Sequence, residues 1–304
     1  MTVVIFAFIL IYMISSKNIP ISIGIVVLVL VIALSQSDRI HQSLVLIKGQ
    51  EEFEQRMGEI VKTINKKEAI PIETIPRIII QVWVQKDGGK PIVPVNQVQY
   101  MDKFRELNKS FEHMFFNGDD IEQLFKDNYL GYYNTYKRLP IFIQKLDFFR
   151  YLAIYHYGGF YFDMDVEPLK PLDEDVLNHS AVFPVDEYVS ALGCQNPRMN
   201  SYCLVGQNFL LGQYAFGATA KHPFMKVLVD KIHDKLENYI KTAEKINQSD
   251  KGAIHYFVYK TTGPDFVTDC YVQYKNKEQL YILSNGKRQV FGDYAVHKLY
   301  GGWK

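Results

Sequence analysis

The sequence predicts an α/β fold, a mostly parallel sheet flanked by helices, carried behind an N-terminal membrane segment and a helical stem. Three observations lead there. Residues 1–34 form two apolar runs with a single formal charge, Lys17. Between Asp38 and Lys67 the apolar residues recur three or four apart. Beyond Ile75, short β-branched runs alternate with helical patterns, the rhythm of a sheet with helices on its faces and a ligand at the carboxyl ends of its strands.

The first run spans Thr2 to Ile14 and the second Ile19 to Leu34, separated by Ser15-Ser16-Lys17-Asn18. The second run gives about 24 Å of helix, against a hydrocarbon core of about 30 Å. A single span needs length borrowed from Lys17, by snorkelling, and from Ser35 to Ser37 in the interface. A short hairpin of both runs remains open. A cleaved signal peptide fits less well, because no basic segment precedes the first run. The expected organisation is a membrane anchor over 1–37, a helical stem or linker over 38–74, and a catalytic domain over 75–304. Basic residues flank the span on both sides, so charge does not orient it.

In the stem, Ile40, Leu44, Ile47, Phe53, Met57, Ile60 and Ile64 make an apolar stripe that could pair with a second copy, although the gap between Ile47 and Phe53 breaks a continuous seam. Pro71 and Pro76 end it. Arg77 to Val84 reads as a buried central strand stopped by Asp87-Gly88-Gly89. Met101 to Leu107 suits a helix and Glu112 to Phe116 a second strand. Asp119-Asp120 reads as the cap of a helix through Phe125.

Composition narrows the function. The chain has 304 residues, 34 Lys+Arg and 33 Asp+Glu, with 48% apolar and 14% aromatic residues. Without a basic field, nucleic acid is not an expected partner. The informative stretch runs from Lys145 to Leu169. Asp147 and Arg150 share a helix face, a double glycine ends that helix, and an apolar strand delivers Asp163 and Asp165. Two neighbouring carboxylates repel unless a cation joins them. A hard divalent ion, Mn²⁺ or Mg²⁺, would bind both together with a diphosphate.

Asp147-x-x-Arg150 followed by Tyr-Gly-Gly-Phe-Tyr-Phe-Asp-Met-Asp-Val resembles the DXD region of glycosyltransferase family 32, which includes initiation-specific α-1,6-mannosyltransferases and capsular-polysaccharide enzymes. Four further segments of residues 75–304 resemble that family in order: Ile75 to Trp83, Phe216 to Phe224, Thr262-Gly-Pro264 with Thr268, and Val296 to Trp303. The resemblance implies a GT-A fold, a UDP- or GDP-sugar donor, a divalent cation, a glycan or glycoconjugate acceptor, and transfer with retention of configuration; together with the anchor, family habit makes a lumenal catalytic domain the expectation.

It also implies roles. Asp165 would ligate the metal, with Asp163 binding ribose or the metal; His297 would ligate metal or diphosphate, and Trp303 would close over it. Trp83 would stack on the base. Asp147 and Arg150 would hold sugar or ribose hydroxyls, with Gly159 and Tyr161 beside them at the donor, and Asn208 is a reacting-side candidate. Gly302 stands where the family has Ser, which removes one hydroxyl donor. That departure keeps a second reading open, a tethered carbohydrate-binding or scaffold protein without turnover.

Among the smaller signals, His222-Pro223 reads as a helix start. Cys194 and Cys203 could form one bridge or stay as buried thiols, beside Cys270. Asn108, Asn178 and Asn247 head Asn-x-Ser triplets.

Overall fold

The computed structural model describes residues 48–65, 74–85, 92–190 and 193–301. The expected membrane segment, the first part of the stem and Trp303 lie outside the described residues. Among the described residues, no helix is long and apolar enough to cross a membrane.

Strand β1 (Ile78–Val82) is β-branched at every position but Gln81 and buried from Ile79 onward, as in a strand covered on both faces. It pairs in parallel with β2 (Glu112–Phe116) on one side and β3 (Gly159–Phe162) on the other. Beyond β3 come β7 (Ala215–Ala218), β5 (Ala181–Tyr188) and β6 (Phe209–Leu211), while β8 (Tyr281–Leu283) also pairs with β5. The pairings set β1, β2, β3, β5 and β8 in one direction and β6 and β7 against it. The sheet is therefore mostly parallel, as expected, with reversed strands inserted. A three-stranded antiparallel sheet, β4 (Val166–Pro168), β10 (Ala295–His297) and β9 (Val290–Phe291), sits beside it.

Helices cover the faces. In chain order they are α1 (residues 48–65), α2 (Val95–Leu107), α3 (Gly118–Asn128), α4 (Leu130–Arg138), α5 (Phe142–Tyr157), α6 (Glu174–Leu177), α7 (Pro197–Leu204), α8 (Pro223–Asp234), α9 (Leu236–Ala243), α10 (Lys251–Thr261) and α11 (Pro264–Gln273). Helix α5 buries ten of its 16 residues and is apolar nearly all round, the pattern of a helix enclosed by its neighbours. Gly159, at φ 89°, begins β3 so close to β1 that a side-chain carbon would lie 2.5 Å from the Ile78 carbonyl oxygen. Only glycine fits there.

Three sequence expectations shift. Helix α2 begins at Val95 behind Pro94, ahead of Met101, because its first turns are polar and carry no side-chain cap. The cap of α3 is Asn117, whose side chain accepts from the Asp119 and Asp120 N–H groups while Asp120 accepts from the Asn117 N–H. Asp120 is the far half of a capping box rather than the cap. In the stem, Ile60 and Ile64 stay exposed while Val61 is buried. The compact unit begins at Glu54 and so takes in that part of α1. The inward face there is built on Gly58, which allows close approach to Gly286, and on Asn65, whose amide bonds both polar atoms of the Ile282 backbone at 2.7 and 3.1 Å. That face is engaged within the chain.

Candidate active site

The cleft, of about 470 Å³, opens at the carboxyl ends of β1 and β3 and is lined by Trp83, Asp147, Arg150, Tyr161, Asp163, Asp165 and His297 together with residues from β5, α7 and α10. Its volume suits a small-molecule ligand.

After β3 the chain turns: the Val166 N–H donates to the Asp163 carbonyl at 3.0 Å, so the two aspartates do not simply alternate along a strand. Strand β10 then pairs with β4 in a register that sets His297 against Val166, which brings an imidazole from the far end of the chain to the second aspartate. One ligand atom each of Asp163, Asp165 and His297 lie within 4.8 Å of one another. Two carboxylate oxygens and an imidazole nitrogen suit a divalent ion such as Mn²⁺. The His297 Nδ1 faces the Gln289 side-chain oxygen at 3.1 Å, which leaves Nε2 toward Asp165 at 3.4 Å. The ring stacks on Tyr214. These contacts orient the ring, as outer partners do for histidines that ligate metals. The tail continues over Asp165, whose side chain accepts from the Tyr300 N–H at 2.9 Å and whose carbonyl accepts from the Lys298 N–H at 2.9 Å.

The floor of the cleft is a charge sandwich. The Arg150 guanidinium, 3% exposed, lies between Asp147 at 3.1 Å and Asp163 at 3.1 Å, above the Tyr161 ring at 4.8 Å, and donates to the Gln213 carbonyl at 3.1 Å. Tyr161 donates its hydroxyl to Asp163 at 2.7 Å. Asp147 is fully buried and accepts from the Thr262 hydroxyl at 2.6 Å, which gives the Thr-Gly-Pro segment a physical task. Burial pushes the Asp147 carboxyl up to about 6, against the pull of Arg150. Asp163 is also raised, first by desolvation and then by Asp165, with Arg150 opposing. Asp165 differs: partial burial works against its charge, but His297 and the Tyr300 N–H outweigh it and hold the carboxyl below its usual range.

Several buried polar atoms on these walls have no partner among the described residues, namely Trp83 Nε1, Gln97 Oε1 and Arg150 Nε. Unpaired polar atoms are costly inside a fold, so each calls for a physical reason.

Of the residues expected at the site, Trp83, Asp147, Arg150, Tyr161, Asp163, Asp165 and His297 meet in this one cleft. Gly159 does not line it and serves the β1–β3 contact instead. Asn208 is exposed and off the cleft, with its carbonyl accepting from the Val189 N–H, because it closes the turn into β6. The sequence reading missed Asp186, Glu187, Arg198 and Gln213, all on the cleft wall. The signal for the first two was two adjacent acids inside an otherwise apolar strand, Ala181 to Val189. Arg198 joins Glu187 at 3.1 Å to Asp265, which is fully buried and also meets Lys260 at 3.1 Å. Helix α7, which carries Arg198, is tied back by a Cys194–Cys203 disulfide; Cys270 is a buried free thiol. His222 caps α8 by accepting from the Phe224 N–H at 3.1 Å. Asn108 is buried with its amide engaged to Phe104 and Leu172, whereas Asn178 and Asn247 are exposed.

Residues 94–183 match the glycosyltransferase sugar-binding region containing a DXD motif. The chain is 29% identical over 154 residues to inositol phosphoceramide mannosyltransferase 1 of Schizosaccharomyces pombe, covering 51% of this chain and 41% of that protein. It is 23% identical over 236 residues to the initiation-specific alpha-1,6-mannosyltransferase of Candida albicans, covering 70% and 60%. It is 36% identical over 104 residues to an uncharacterized glycosyltransferase of Acanthamoeba polyphaga mimivirus, covering 33% and 39%. The matches thus span about two fifths to three fifths of these relatives' lengths. Among solved structures, the PaToxG glycosyltransferase aligns with a TM-score of 0.46 at 14% identity, covering 74% of this chain and 79% of that one. Over these segments the chain is similar to DXD-bearing glycosyltransferases. Its resemblance is to family 32.

Proposed function

We propose that the protein is a membrane-anchored, metal-dependent, retaining glycosyltransferase that moves a sugar from a UDP- or GDP-sugar to a hydroxyl of a glycan or glycoconjugate. The observation that carries this reading is the convergence of Asp163, Asp165 and His297 at the mouth of a cleft whose other walls hold Trp83 and the Asp147–Arg150 pair. Mannosyltransferases among the relatives favour a mannosyl donor within that class.

Asp163, Asp165 and His297 would hold Mn²⁺ or Mg²⁺, with Gln289 and Tyr214 keeping the imidazole oriented. When bound, the cation supplies positive charge opposite the diphosphate as the glycosidic bond breaks. Arg150 fixes Asp163 in place and presents a rigid fork at the cleft floor, while Asp147 anchors that fork from beneath. Trp83 offers an aromatic face to the base and an unpaired N–H to a polar ligand atom. The C-terminal tail is bonded to Asp165 through the Tyr300 N–H and would help to position that carboxylate.

Anchoring rests on the apolar residues within 1–37, and a lumenal position is supported by the Cys194–Cys203 bridge, since such bonds persist in oxidising compartments. The test is a panel of UDP- and GDP-sugars with Mn²⁺, read as nucleotide release and as thermal stabilisation. Release that chelation abolishes and Mn²⁺ restores is expected; no binding and no turnover with any donor would leave the scaffold reading in its place.

A further inference from the structure

Strand β5 changes register against β6 between Val185 and Glu187: Val185 faces Leu211 and Glu187 faces Leu210, so Asp186 is an extra residue with no partner opposite it. In a regular strand, neighbours point to opposite faces. Here Asp186 and Glu187 both line the cleft, which is what a bulge achieves when it re-aims a side chain.

The two carboxylates are placed differently. Glu187 is held by Arg198 at 3.1 Å, and Arg198 is itself locked to buried Asp265. Asp186 has no hydrogen-bond or ion-pair partner among the described residues, although His297 and Arg198 are its charged neighbours. It therefore lies on the cleft wall within electrostatic reach of both His297 of the candidate metal trio and Arg198, with its acceptor oxygens unengaged among the described residues.

We propose that Asp186 is a specificity-determining residue that accepts hydrogen bonds from hydroxyls of the transferred sugar, a role that rests on the donor-site reading above. A diphosphate held at the metal trio would carry its sugar on the terminal phosphate, and an acceptor close to His297 on the same cleft wall would be in reach of that sugar. A free carboxylate repels phosphate and suits hydroxyl donors, which it binds by charge-assisted hydrogen bonds. The Arg198–Asp265–Lys260 cluster holds the neighbouring Glu187 and braces this wall.

The experiment uses the full chain in detergent with Mn²⁺. Affinities for UDP and GDP are compared with those for UDP-glucose, UDP-galactose and GDP-mannose, alongside sugar release to water, in wild type, Asp186→Asn and Asp186→Ala. Both variants are expected to bind the free diphosphate within about twofold of wild type, which also reports an intact fold, and to lose roughly tenfold or more in nucleotide-sugar affinity and in release. Wild-type values for nucleotide-sugar affinity and release in both variants would overturn the proposal, and so would an equal loss for the free diphosphate, which would assign Asp186 to the metal side. Failure of wild type itself to bind any diphosphate with Mn²⁺ would instead sink the donor-site reading.

Discussion

Asp163 and Asp265 are both drawn into the interior of the same cleft wall system, yet they are treated in opposite ways. Asp265 is fully buried and saturated: Arg198 meets it through two nitrogens and Lys260 through a third. Asp163 keeps 24% of its side chain exposed, shares Arg150 with Asp147, and stands beside two further ligand-type groups, Asp165 and His297. The first arrangement is complete without anything else. The second gathers negative charge that the protein itself leaves only partly compensated, in keeping with the cation proposed for it.

The sharpest break of that comparison is functional. Asp165→Asn is expected to lower metal-dependent sugar transfer or release by roughly 10²- to 10³-fold while the metal-free protein still folds, with a slightly lower melting temperature because His297 and the Tyr300 N–H stabilise the ionised carboxylate. Turnover at the wild-type rate would place the metal elsewhere.

At the completed site the largest effect is on stability. Asp265→Ala should destabilise the fold by about 3–5 kcal/mol, since it strands Arg198 and Lys260 as poorly compensated charges; denaturant unfolding measures it. A loss under about 1 kcal/mol would mean that solvent already reaches the cluster.

Next comes the bridge that holds the helix carrying Arg198. Replacing Cys194 and Cys203 by Ser should cost about 2–3 kcal/mol from the freed loop, read as a lower denaturation midpoint in the variant and in the reduced wild type alike.

The smallest effect is in pH dependence. Burial lowers the His222 imidazole to about 4, so the unfolded chain binds more protons than the fold between about pH 4 and 6.5, and stability through this group rises with pH across that window. Asp147 and Asp186, each raised to about 6 by desolvation, act the other way: the fold keeps their protons longer, and their contribution falls as pH rises from about 4 to 6. His222→Asn, which retains a capping acceptor, should tilt the slope downward with rising pH by about 1 kcal/mol across that range. Asp186→Asn should tilt it upward. Equal slopes in the two variants would contradict this opposition.

Much of this was legible in the sequence where the determinants are contiguous. The strand over Ile78–Val82, the helix carrying Asp147 and Arg150 and the turn that presents Asp163 and Asp165 follow from local pattern and a double glycine. His297 had no such signal in its own neighbourhood; it was found only through a family motif, and its proximity to Asp165 depends on β10 pairing with β4 across some 130 residues of chain. Asp186 was missed because a bulge is a property of pairing rather than of one strand's sequence. Asn208 was placed at the reacting side for want of any contact information, and its strand entry carries it away from the cleft.

By itself, the sequence determined the α/β alternation, the helix and strand that carry the Asp147, Arg150, Asp163 and Asp165 set, and the types of side chain available for cation chemistry, because these depend on periodicity, glycine and residues a few positions apart. Only the tertiary structure decided that β7 and β6 run against the sheet, that residues 54–65 pack on its own unit, that Cys194 meets Cys203, and that Asp186 joins the cleft beside His297. Those outcomes depend on which distant segments pair and in what register, and a one-residue change of register reverses where a side chain points.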